Sequence, residues 1–181
     1  MARCQWAERS PALLYYHDTC WGIPVFDEKK LFQVLSLKVF QAGLSWETVL
    51  KFEPALTKIM LLDDYPKLAQ VSQSTVKNWL RDDRIIRNAA KVQAVINNAK
   101  QLQNSQQNLF EITWKPTNRT VIDHFIDEPI LSSDYYDFVI PYVQALKKIG
   151  FKRMGPVTVY SYLQAVGVVN DHFIYCDYKY N

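Results

Sequence analysis

Along most of this chain an apolar residue returns every three or four positions, and segments with that period are helices with one buried face. Residues 27–41 place Leu31, Phe32, Leu35 and Val39 on one side, and Gly43 follows as a stop. Ser45 is placed to cap a new helix through Trp46, Val49 and Leu50, with Glu47 in its first turn. Residues 84–103 carry Ile85, Ala89, Val92, Ile96 and Ala99 at helical spacing, and residues 134–148 predict a further helix, kinked or restarted near Pro141. Residues 156–166 open with Pro156 just after Gly155, a favoured first helical position. The run Phe110 to Trp114 could be extended, but no sheet is required. The expectation is an all-α fold over residues 1–181, organised as one domain.

Other classes are excluded by what the chain lacks. No apolar run approaches the ~18 residues of a membrane span, and the opening Met-Ala-Arg-Cys-Gln-Trp has no secretory character. Three cysteines, Cys4, Cys20 and Cys176, argue against a disulfide framework and for a reducing, cytoplasmic setting. A net charge of +3 does not by itself mark a nucleic-acid binder. The basic residues are clustered, however: Lys147, Lys148, Lys152 and Arg153 lie close together, and Arg84, Arg87 and Lys91 recur at helical spacing. Each cluster reads either as a solvated face or as a phosphate footprint.

Cysteine and histidine gather at the two ends. Cys4 and His17 lie 13 residues apart near the start, and His172 and Cys176 lie four apart near the end. Two sulfurs and two imidazoles are a ligand set of tetrahedral zinc, and a closed shell of that kind is structural. Such a site would clasp the first segment to the last, with His172 and Cys176 on one side of a helical turn. Cys20, three residues from His17, competes with Cys4 for the fourth position, and isolated burial of each residue is the alternative. The third histidine, His124, has no assigned role.

Between residues 145 and 163 a helix ends near Gly150, a basic turn carries Lys152 and Arg153, and a second helix begins after Gly155. Free amides at that second N-terminus, beside two cations, suit a phosphate. The arrangement resembles a helix–hairpin–helix element that grips a DNA backbone; a plain helical hairpin has the same outline.

Several segments, in order, resemble one family. Arg3-Cys4-Gln5-Trp6 is similar to R-C-x-W, Tyr16 to Gly22 to Y-H-D-x-E-W-G, and Gln41 to Trp46 to Q-A-G-L-S-W. Ile85 to Lys91 is similar to I-I-R-x-x-x-K, Lys147 to Gly155 to K-K-x-G-F-K-x-x-G, and Gly167 to His172 to G-x-V-N-D-H. From residue 3 to residue 176 the chain thus resembles the bacterial 3-methyladenine DNA glycosylase I family. The resemblance implies a helix–hairpin–helix glycosylase fold, duplex DNA with a damaged base as partner, a monomer, and zinc held by Cys4, His17, His172 and Cys176. It further implies that Tyr16 and Trp46 stack the extruded base with Trp6 nearby, and that Gln41, Gly43 and Leu44 press into the duplex, Leu44 as the wedge.

Two departures bear on chemistry. The family has glutamate three residues before that glutamine, where this chain has Lys38, and glutamate where it has Cys20. Lysine only donates, and it carries the wrong sign for a cationic base. Lys38 therefore points to solvent, or another acid such as Glu47 or Asp18 takes over, or the pocket has changed substrate, a pocket-lysine nucleophile being one form of that change. The expected activity is release of alkylated purines; the alternative is a lesion-binding protein whose catalysis Lys38 has ended.

Overall fold

The computed structural model describes residues 1–180; Asn181 lies outside the described residues. Helices carry almost all of the regular structure, and nearly every one begins at a side chain able to cap it. Ser10 accepts from the Leu13 amide to start α1 (Pro11–Thr19), and Asp27 accepts from Lys30 to start α2 (Glu28–Gln41). Ser45 caps α3 (Trp46–Met60) through Thr48, as its position in the sequence predicts. Then follow α4 (Tyr65–Ala69), α5 (Gln73–Trp79), capped by Ser72, α6 (Ala89–Asn104), capped by Asn88, and α7 (Leu109–Trp114), capped by Asn108. The last two are α8 (Ser132–Lys148) and α9 (Pro156–Ala165).

Helix α2 is the axis of the molecule. Leu31 through Phe40, apart from Val34, are all buried, with neighbours on α3, α6, α7 and α9. The sequence pattern predicts one apolar face; the helix is instead enclosed on nearly all sides. That enclosure takes Lys38 inside with it, at 4% exposure.

Four local expectations change. Residues 84–88 precede α6 rather than opening it, because Asp82 caps the Arg84 amide and Asn88 starts the helix. Arg84 is spent on Asp82 and Lys91 is buried, so these two residues do not form a phosphate-gripping helix face. Phe110 to Trp114 is helical in α7, since Asn108 supplies a cap and Trp114 is wholly buried. Pro141 sits within α8, whose assignment runs unbroken from Ser132 to Lys148.

The only sheet among the described residues is minimal. β1 (Ile122–Asp123) pairs in parallel with β2 (Val169–Asn170) and ties the loop before α8 to the C-terminal segment. The turn between α8 and α9 is held from outside by α6. Asn98 accepts from the Lys152 amide at 2.7 Å and donates to the Lys152 carbonyl at 3.2 Å, and Asn97 donates to the Gly150 carbonyl at 3.0 Å. Phe151 and Met154 anchor the turn inward, which leaves Lys152 and Arg153 exposed.

The C-terminal segment meets the loop after α1 at two glycines. Gly167 has φ +72°, and a Cβ there would stand 2.6 Å from the Gly22 carbonyl oxygen, the Ile23 carbonyl carbon and the Pro24 nitrogen. Backbone atoms cannot yield as a flexible side chain does. Gly167→Ala is therefore expected to destabilise the protein by about 3 kcal/mol or more, since left-handed strain and backbone overlap add. Thermal unfolding of the variant, against an alanine substitution at the exposed Gly43 turn, measures the difference.

Candidate functional site

Two side chains that follow each other on α1 point to two different sites. His17 faces a buried cluster with Cys4, His172 and Cys176, and Tyr16 faces an aromatic pocket.

In the cluster the four ligand atoms lie within 4.8 Å of one another. The Cys4 sulfur is 3.8 Å from His172 Nδ1; the Cys176 sulfur is 3.4 Å from His172 Nδ1 and 3.5 Å from His17 Nε2. A tetrahedral ion with bonds of about 2.3 Å to sulfur and about 2.0 Å to nitrogen has sulfur–nitrogen edges of about 3.6 Å. The donors present fit such an ion in type, number and spacing. Their surroundings suit it too. His17 Nδ1 is 2.8 Å from Asp18, whose other contacts hold Arg3, so the ring is oriented with Nε2 toward the sulfurs. Burial beside His17 pushes His172 down to about 4, which keeps the ring neutral and able to ligate. Burial also pushes the Cys4 thiol up to about 12, so a thiolate at Cys4 requires a cation. The choice between Cys4 and Cys20 is resolved by position: Cys20 is exposed and outside the cluster. His172 and Cys176 approach through a turn closed by the Cys176 amide on the Phe173 carbonyl, rather than through a helix.

The aromatic pocket has a volume of about 440 Å³. Its walls come from Trp6, Tyr16 and Trp21 on one side, Lys38, Gln41 and Trp46 from α2 and α3, and Val157, Tyr160, Ser161 and Gln164 along α9. Tyr16 and Trp46 meet edge to face at 5.1 Å, and Trp6 stands edge-on to both Trp21 and His17. Burial raises the Tyr16 hydroxyl pKa well above its ordinary value, so the ring remains neutral. Gln41 Oε1 and Trp46 Nε1 are buried without hydrogen-bond partners.

Lys38 does not extend to the outer surface; it is 4% exposed and lines the pocket. Its Nζ sits 3.5 Å from the centroid of Trp46 and 5.8 Å from that of Tyr16. Burial pushes its pKa down to about 7, opposed by the charge of Glu53 on α3. Neither Glu47 nor Asp18 lines the pocket; Glu47 is exposed and Asp18 is bound to Arg3. The acid that does line it is one sequence reasoning missed. Asp171 is 4% exposed, 2.7 Å from His124 Nδ1, and accepts from Tyr160 at 2.6 Å and Gln164 at 2.7 Å. Tyr135 stacks face to face on Tyr160 at 3.8 Å. Asp171 stands beside His172 in one of the quoted motifs, which was the available signal.

The Gln41 to Leu44 turn borders the pocket. Lys91 Nζ donates to the carbonyls of Phe40 (2.7 Å) and Ala42 (2.6 Å), pinning the end of α2. Gly43 has φ +77° and open space around it, and Leu44 is 38% exposed. Gly155 caps α9 without a side chain, also beside open space.

A model of the methyladenine glycosylase family matches residues 6–180. DNA-3-methyladenine glycosylase 1 of Escherichia coli (strain K12) is 36% identical over 97% of this chain and 96% of its own length. DNA-3-methyladenine glycosylase of Haemophilus influenzae is 31% identical over 98% of this chain and 97% of its own. A tyrosine-to-phenylalanine variant of 3-methyladenine DNA glycosylase I, in complex with 3-methyladenine, superposes with a TM-score of 0.90 at 29% identity, covering 99% of this chain and 98% of that one. The chain belongs to the methyladenine glycosylase family, and its fold is the all-α fold of that family's solved structures. No helix of the described residues is long and apolar enough to cross a membrane.

The buried amine has a consequence for stability. In the unfolded chain Lys38 holds its proton up to an ordinary lysine pKa of about 10.4. Folded, it loses that proton near 7, so the unfolded state binds more protons in between and stability rises with pH across that window. Relative to Lys38→Met, the wild-type protein is expected to gain melting temperature between pH 7 and pH 9. Parallel thermal melts of the two proteins, compared as a difference, isolate the Lys38 contribution from other titrations.

Proposed function

We propose that this protein is a DNA N-glycosylase of base excision, which extrudes an alkylated purine from duplex DNA and hydrolyses its bond to the sugar. The observation that carries the reading is an aromatic pocket lined by Trp6, Tyr16 and Trp46, in a chain that matches a glycosylase family over residues 6–180. 3-Methyladenine, named for the relatives, is the reference member of the substrate class.

In this reading the extruded base stacks against the aromatic wall that Tyr16 and Trp46 form, with Trp6 nearby. The turn of Gln41, Gly43 and Leu44 presses into the space the base vacates. Its firmness comes from Lys91, and its projection from the exposed Leu44. Lys152, Arg153 and the uncapped amides after Gly155 hold a backbone phosphate beside the pocket that α9 helps to line. Contacts of that kind carry no sequence preference, as repair of a lesion in any context requires. One protein facing one base acts as a monomer, the chain as one domain, and repair of bacterial DNA is cytoplasmic work.

Zinc is the ion we assign to Cys4, His17, His172 and Cys176. When bound it fills a four-ligand shell and supplies cross-linking rather than catalysis. The expected outcome is one zinc per chain by elemental analysis, lost in Cys176→Ser. A strong chelator should lower the melting temperature of the wild-type protein and leave that variant unmoved.

Burial of Lys38 against Trp46 supports a second reading, a lesion-binding protein without turnover. Chromatography of bases freed from alkylated duplex DNA separates the two. Release of free purine with matching abasic sites, reduced about 100-fold in Trp46→Ala, is expected of the glycosylase. Salt-sensitive binding to abasic duplex with no base released is the outcome of the binding protein.

A further inference from the structure

The pocket's charge does not suit a cationic base. Two cationic side chains line it, Lys38 and Arg9, and its single acid, Asp171, is committed to His124, Tyr160 and Gln164. What the pocket offers a base edge is the Lys38 amine. Lys38 Nζ has no hydrogen-bond partner among the described residues, only the Trp46 and Tyr16 ring faces. An amine with nothing to donate to, on the lining of an aromatic pocket, is complementary to a base edge that accepts.

The chemistry of departure points the same way. A purine alkylated to a cation leaves the sugar as a neutral molecule and needs no proton. An uncharged purine leaves as an anion unless a proton reaches it during bond breaking, so its excision calls for a general acid.

Resting on the glycosylase reading, we propose that Lys38 makes this a site for uncharged purine lesions, bases whose edge presents a ring nitrogen or carbonyl oxygen, and that Lys38 is the proton donor to the departing base. The C1′–N9 bond breaks with its electron pair going to the base, and the Lys38 ammonium passes one proton to the acceptor on the base edge. Water adds through oxygen to C1′, and its proton returns to the Lys38 amine. The products are neutral free base, an abasic sugar and a regenerated ammonium. The position of Lys38 suits this cycle: burial lowers its hold on the proton, Glu53 opposes that loss, and both protonation states are accessible near neutral pH. The Trp46 face 3.5 Å away stabilises the charged form until the base arrives.

The test is base release by the zinc-loaded protein from three duplexes of one sequence. Two carry a single uncharged lesion, hypoxanthine or 1,N6-ethenoadenine, and the third is methylated to give cationic 3-methyladenine. Release of at least one uncharged base about tenfold faster than 3-methyladenine is expected, falling about 100-fold in Lys38→Met. Lys38→Glu is expected to reverse the preference, gaining on the methylated duplex what it loses on the others. The proposal is overturned if the wild-type protein releases 3-methyladenine as fast as the uncharged bases, or if Lys38→Met leaves uncharged release unchanged. Should either variant fail to fold, the wild-type comparison across the three duplexes decides alone. If neither the wild type nor any folded variant releases a base from any duplex, the glycosylase reading itself falls, and the proposal with it.

Discussion

The convergence of Cys4, His17, His172 and Cys176 is the constraint on which the site depends. The chain ends lie more than 150 residues apart in sequence and are regular only in short pieces near these ligands, so local helix formation does not hold them together. Their junction is made of buried thiols and imidazoles that are poorly satisfied by each other and well satisfied by a tetrahedral ion. Around it the packing leaves little freedom. A Cβ on Gly22 would stand 2.9 Å from His172 Nε2, and the Gly22 to Pro24 backbone lies directly against Gly167. Small residues at both contacts let the two segments approach closely enough for the donors to meet.

That junction reaches the pocket through the shortest path available, one peptide bond. Because His17 is fixed by the cluster and by Asp18, Tyr16 is fixed on the neighbouring face of α1. Trp6, wedged against His17 and Trp21, is held by the same contacts. The opposite wall belongs to the main core, through Lys38 and Gln41 on α2 and Trp46 on α3. The pocket is therefore a seam between two separately anchored bodies of side chains, a common place for a ligand site. Asp171, next to His172, extends the seam toward α9 and the loop bearing His124.

Much of this was legible in the sequence, and the failures have physical reasons. Helix α2 follows from its apolar period, α3 from its Ser45 cap, and α9 from Pro156 at its first helical position, where local and global preferences agree. Helix α7 was misread as potentially extended because Phe, Ile, Thr and Trp favour strands; the Asn108 cap and the burial of Trp114 overrode that preference. The ligand types were legible, but spacing alone left Cys4 and Cys20 in competition; the resemblance favours Cys4, and the exposure of Cys20, a property of the fold, agrees. The Asp171, His124 and Tyr160 network joins residues 47 and 11 positions apart and has no local pattern to betray it. The direction of Lys38 was hidden for a different reason. A helix with one apolar face would let a lysine escape, whereas α2 is enclosed on nearly every side.

Enclosure alone does not explain why a lysine persists there, because an apolar residue of similar length would cost less to bury. The Trp46 face offsets part of the cost, and Glu53 contributes at longer range, yet neither gives Nζ a hydrogen-bond acceptor. A group left unsatisfied by its own protein, at the wall of the cavity that a ligand must enter, marks where local stability yields to function. An unpartnered amine on the lining of an aromatic cavity is costly alone and coherent with a ligand: it describes, as a donor, the edge of the molecule that completes it.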